Sequence, residues 1–229
     1  HSSWPEAACI TIIMVMRAAF VSLVVLTATV QAFDVSLGLD DITRAISIGR
    51  TGIESERIEF HRPYRLPVGQ PPLDYIEVVT PFRRIVLAAE AALLRGERLF
   101  GQREALAVLG ETPEQVELRL ELTLSPLNTF IGVPGYDVVL ISTVNQMPVL
   151  SRSVDRIPRF GPRVNGQPQS PAQVVGSRAG RGQSQPLLGG TILVTYDGRQ
   201  LDRNGRYEVI VADDGRTLSR GQLNLSALR

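Results

Sequence analysis

The sequence predicts an α+β, β-rich domain: an antiparallel β-sandwich with an N-terminal helical excursion and a long mobile loop. Three observations carry that prediction. From Val116 to Leu124 the residues Val116, Leu118, Leu120, Leu122 and Leu124 alternate with polar neighbours, the pattern of a strand with one buried and one wet face. Ahead of it, Phe82, Ile85, Val86, Ala89 and Leu93 fall at helical spacing and form one apolar stripe. After residue 190, short β-branched runs are separated by Asp, Asn and Gly in turn order.

The chain has 229 residues, with 24 basic against 23 acidic side chains and a net charge of +1. That length supports one full-sized domain with a core of its own. The charge balance argues against a nucleic-acid binder driven by net charge. Every basic side chain is Arg; Cys9 is the only Cys, Trp4 the only Trp, and His1 and His61 the only His.

Residues 14–32 read as a secretory leader. Arg17 precedes an apolar run from Ala18 to Val30, and Val30-Gln31-Ala32 supplies small residues before a cut at Phe33. The run is short for a membrane span. The rival is an uncleaved anchor extended back through Ile10 to Met16. The division expected is a signal peptide and upstream extension over 1–32 and one domain over 33–229. That domain has a helix-containing part to 115, strands over 116–155, a flexible Arg/Pro/Gly-rich insertion over 156–190, and a meander over 191–229 that completes the sheet. Cleavage would export a chain with no Cys, so packing alone must hold it.

The elements follow in order. Asp40 or Asp41 can cap a short helix whose face is Ile42, Ala45 and Ile46, and Gly49 can end it. Residues 50–72, rich in Pro and Gly, read as loop around a short run at Ile58–His61. Leu73–Val79 is β-branched and aromatic enough for a strand. Thr80-Pro81 reads as an N-cap with Pro at the first helical position. Gly96 interrupts the stripe, a second helix runs from Leu99 to Leu109, and Gly110 ends it. Tyr136–Ser142 and Thr191–Asp197 are strands. Asp202–Gly205 and Asp213-Asp214-Gly215 are turns, Tyr207, Val209 and Val211 alternate, and Gln222–Leu225 is a last short strand.

Chemistry is bounded by what the exported chain lacks. Thiol nucleophiles, Cys-based zinc sites and lysine Schiff bases have no residue to use. No phosphate-binding Gly-rich motif and no GxSxG are present. His61, inside Glu59-Phe60-His61-Arg62-Pro63-Tyr64, reads as a hydrogen-bonded structural residue. Asp40, Asp41, Glu77, Glu117 and Glu121 could in principle supply a glycosidase pair, but a helix cap and a wet strand face account for them. Asp202, Asn204 and Asp213-Asp214 hold calcium-type oxygens without the full loop pattern. No cofactor is implied. A basic cluster of Arg152, Arg156, Arg159, Arg163, Arg178 and Arg181 surrounds the insertion; it is the candidate contact for an anionic surface or a partner.

At the level of architecture alone, the meander with Asp-Gly turns is similar to immunoglobulin-like modules. The expectation is therefore an exported, periplasmic or extracellular, non-enzymatic binding module. Its partner would be an envelope or extracellular protein or an anionic surface, not nucleic acid, met through a sheet edge, the helix pair or the Arg-rich loop. Membrane contact would be transient, through the signal peptide. The alternatives are a carboxylate-dependent envelope hydrolase and a membrane-anchored interaction protein.

Overall fold

In the computed structural model, residues 33–125, 127–161 and 185–229 are described. The leader at 14–32 and residues 162–184 of the insertion lie outside them. The first described residue, Phe33, is fully buried in the core. Helix α1 (Leu39–Gly49) follows, then α2 (Glu54–His61), a 3-10 turn (Arg62–Tyr64), β1 (Arg65–Leu66) and β2 (Leu73–Val79). Next come α3 (Pro81–Leu94), α4 (Gln102–Leu109), β3 (Gln115–Thr123), β4 (Asp137–Ser142) and β5 (Pro148–Val149). The chain ends through β6 (Ser153–Phe160), β7 (Leu187–Asp197), β8 (Arg206–Asp213) and β9 (Arg216–Asn224). Among the described residues no helix is long and apolar enough to cross a membrane.

The strands form two antiparallel sheets, ordered β1-β2-β3-β7-β6 and β5-β4-β8-β9. The alternation in β3 sets the first. Val116, Leu118, Leu120 and Leu122 are buried and lie opposite Tyr196, Val194, Ile192 and Gly190 of β7. Ile76 and Val78 of β2 oppose Leu120 and Leu118, and directly opposed residues share a face. In the second sheet Leu140, Val209, Val211 and Leu223 are buried, and they belong to the same apolar cluster as the β3 leucines. The Thr191–Arg229 meander thus divides: β7 joins β3, while β8 and β9 join β4.

A second cluster sits among α1, α3 and α4, with Ile42, Ala45, Ile85, Val86, Ala89 and Ala105 at its centre. Phe60 packs against both clusters and joins them. At the crossing of α1 with α3, a side chain on Gly49 would meet the Val86 carbonyl and stand 2.7 Å from Ala89 Cβ. The glycine that ends the helix also permits the close approach.

Several expectations need correction. The N-cap of α1 is Gly38; Asp41 instead accepts from the Gly38 amide at 3.0 Å, and an acid in the first turn suits the helix dipole. The Pro/Gly-rich stretch 50–72 contains α2, whose residues ESERIEFH include none that is buried, so no apolar stripe announced it. The insertion expected over 156–190 is strand at both ends, through β6 and β7. The last strand begins at Arg216, six residues ahead of the predicted Gln222. The Asp213-Asp214-Gly215 turn stands as read, with φ of 46° at Asp214 and 80° at Gly215, the left-handed pair that a tight hairpin demands.

One carboxylate pins the end of β7. Asp197 caps the 3-10 turn Gly198–Gln200 by accepting from the Arg199 amide at 3.1 Å and receives the Arg152 guanidinium at 2.6 Å. Hydrogen bonding from Arg199 first, and then from Arg152, lowers its pKa from 3.8 to about 2. A depressed carboxyl contributes stability that is complete above its unfolded pKa and is lost as pH falls through the folded one. Asp197→Asn is therefore expected to lower the urea midpoint at pH 7 and to flatten its fall between pH 4 and pH 2, read by circular dichroism.

Candidate functional site

The predicted arginines do not share a loop. Arg152 precedes β6, while Arg156 and Arg159 lie within it, and each is engaged inside the fold. Arg152 bonds Asp197; Arg156 Nη2 donates to the Tyr136 carbonyl at 3.4 Å. Arg159 pairs with Glu121 and donates to the Leu122 carbonyl at 3.0 Å and Thr123 Oγ1 at 3.2 Å. Arg152 and Arg159 thus bond strands of their own sheet, β7 and β3, and only Arg156 reaches a residue outside it. Arg163, Arg178 and Arg181 lie outside the described residues.

These arginines nonetheless mark an unusual surface, because β6 is an edge. Among the described residues it pairs with β7 alone, and no described main-chain group bonds its outer side. Of its residues only Arg159 is not exposed. Leu150–Arg152 carry the chain straight from β5, the edge of the second sheet, into β6. Both sheets therefore end on the same side of the domain. On the opposite side β1 lies against β9, where Leu66 covers Gly221. The open side also carries exposed apolar side chains: Met147 is 61% exposed, Leu150 78%, Val154 39%, Ile157 55% and Phe160 39%. Unpaired main chain beside exposed apolar side chains is what a sheet edge offers to an added strand.

Sequence reasoning missed this strand. Val154, Ile157 and Phe160 recur every three residues, and Pro158 interrupts them, so neither a period of two nor a helical stripe appears. The available signal was Pro158 itself, which within sheets is confined to edges, strand starts and bulges.

A second concave feature surrounds His61. A groove of about 1000 Å³ runs between α2, β1, β2 and α3 and includes Ile58, His61, Arg65, Glu77, Arg83 and Glu90 among its walls. Arg83, 2% exposed, sits at its base. Its Nη1 donates to the Val78 carbonyl at 2.6 Å, its Nη2 lies 3.3 Å from Glu77, and its Nε donates to His61 Nδ1 at 3.3 Å. A guanidinium only donates, so Nδ1 is the acceptor, and the ring proton sits on Nε2, which donates to Glu90 at 2.8 Å. Arg65 bonds Glu77 at 2.8 Å from the rim. Burial pushes Glu77 up, but the Arg65 and Arg83 guanidiniums outweigh it and leave its pKa below the usual carboxylate value. His61 is thus held as the sequence suggested, by hydrogen bonds, and both deep carboxylates are matched by cations or donors. The network ties α2 and α3 to β2.

The remaining candidates are ordinary in place. Asp40 and Asp41 lie in the first turn of α1. Glu117 pairs with Arg84 at 3.1 Å, and Glu121 accepts from Thr191 Oγ1 at 2.7 Å. Asp202 Oδ1 accepts from the Asn204 amide at 3.0 Å, and the Tyr207 hydroxyl accepts from the Asp202 amide at 2.7 Å, so this segment uses its oxygens to make a turn. Among the described residues no three His, Cys, Asp or Glu converge as metal ligands would.

Comparison with protein-family models, with curated proteins and with solved structures gives no match.

Proposed function

We propose that the protein is an exported, non-enzymatic interaction protein that holds an extended polypeptide against its open sheet edge. The observation that carries this reading is the placement of both free edges, β5 and β6, on one side, among exposed Met147, Leu150, Val154, Ile157 and Phe160. An added strand takes its affinity from main-chain hydrogen bonds and its specificity from alternate side-chain contacts. The two sheets serve as layers of one β-sandwich, immunoglobulin-like in architecture only; the apolar cluster common to both supports this. Export rests on the leader pattern at 14–32. The basic residues of β6 hold its inner contacts, which favours a polypeptide partner over a purely anionic surface.

The experiment is a selection of random 12-residue peptides against the protein, repeated with Ile157→Lys. Peptides that bind the natural protein and lose at least tenfold in affinity for Ile157→Lys are the expected result. Peptides that bind both equally, or that compete only for the His61 groove, would overturn the assignment to the edge.

A further inference from the structure

We propose that the polypeptide that pairs with β6 is β6 of a second copy of this chain, antiparallel about a two-fold axis through Ile157. This rests on the edge-binding reading above and names its partner.

The register follows from the side chains. In an antiparallel pair, directly opposed residues share a face, so a two-fold axis perpendicular to the sheet must pass through a residue position. An axis at Ile157 places Asp155 opposite Arg159 of the second copy, twice by symmetry. It sets Ile157 against itself and Val154 against Phe160. The neighbouring choices are worse matched: an axis at Arg156 opposes two arginines and faces Asp155 with Ile157, and an axis at Pro158 faces Ile157 with Arg159. Charge and apolarity therefore select one register.

The groups needed are available. Asp155 has no ionic partner among the described residues, only the Ser153 hydroxyl at 3.4 Å. Arg159 already meets Glu121 on its own sheet, and an opposing Asp155 would bring a second carboxylate to a guanidinium that has five donors. Ile157 shares the outward face with Thr191 of β7 and is 55% exposed, so pairing would cover an apolar side chain that the monomer leaves in water. Pro158 lacks an amide hydrogen, which costs the new ladder one donor per copy. The same donor is missing in every register, so Pro158 weakens edge pairing generally and does not alter the choice among registers. The strand is about 26 Å long at 3.3 Å per residue, so the interface is a small one and the dimer should be concentration-dependent.

Cysteine cross-linking tests the register directly, because Cys9 is the chain's only thiol. In the full chain carrying Cys9→Ser, Ile157→Cys would oppose its own copy at a Cα separation of about 4.5–5.5 Å, within disulfide range. Asp155→Cys would lie about 13 Å along the strand from its copy. Mild oxidation should give disulfide dimers with Ile157→Cys at least tenfold faster than with Asp155→Cys. Sedimentation equilibrium from about 5 to 100 µM, a range that brackets weak association, should show a growing dimer for the natural chain. Ile157→Lys should stay monomeric with an unchanged circular dichroism spectrum. Equal cross-linking at both positions, or a natural chain that is monomeric throughout, would overturn self-pairing. A monomer that still binds the selected peptides through β6 would leave the edge-binding reading standing; a monomer whose peptides avoid β6 would remove both.

Discussion

Arg83→Ala is expected to destabilise the domain by about 3–5 kcal/mol, the usual cost of removing one partner from a buried ion pair. Arg83 is 2% exposed and its ion-pair partner Glu77 is 12% exposed. Truncation leaves the Val78 carbonyl without its 2.6 Å donor and Glu77 with Arg65 alone. It also removes the guanidinium that lies 4.9 Å from the Tyr64 ring centre. Thermal unfolding should fall by about 10 °C at roughly 2–4 °C per kcal/mol for a domain of this size. Arg83→Lys should recover only part of the loss, because an ammonium cannot span Val78, Glu77 and His61 together. Arg119→Ala, 39% exposed and 3.7 Å from Glu117, is the control and should cost under about 1 kcal/mol. Equal losses at Arg83 and Arg119 would contradict a buried joint between helices and sheet.

Leu120→Ala should cost about 2–5 kcal/mol, the range for truncating a buried leucine. Leu120 is fully buried between Ile76 of β2 and Ile192 of β7, at the centre of the five-stranded sheet. Neither neighbour can move into the space without breaking register, so the void persists. Chemical denaturation of both variants reads the effect. A loss under 1 kcal/mol would mean that the alternation in β3 does not define the buried face.

These two positions differ in how far the sequence disclosed them. Leu120 was legible because strict alternation has one simple physical outcome, burial of one face, and β3 has that outcome along its length. Thr80-Pro81 was legible for a similar reason: the Thr80 hydroxyl accepts from the Arg83 amide at 3.2 Å, a purely local bond. Arg83 was not. Its neighbours Val78 and Glu77 are close in sequence, but His61 reaches it only because α2 folds over the groove, and α2 buries no residue of its own. The β6 edge was hidden for the opposite reason. A strand exposed on both faces owes no periodicity to a core, so its composition looked like loop. The Asp214-Gly215 turn and the Thr80 cap can be read locally; the sorting of β7 and β8 into different sheets depends on pairing across the whole chain.

The β5–β6 side is the proposed binding surface. Amide hydrogen exchange of the protein with a selected peptide bound tests it most directly. Slowed exchange confined to β5 and β6, residues 148–160, with α2 and α3 unchanged, is the expected result. Protection confined to residues 54–94 would place binding in the His61 groove and contradict it.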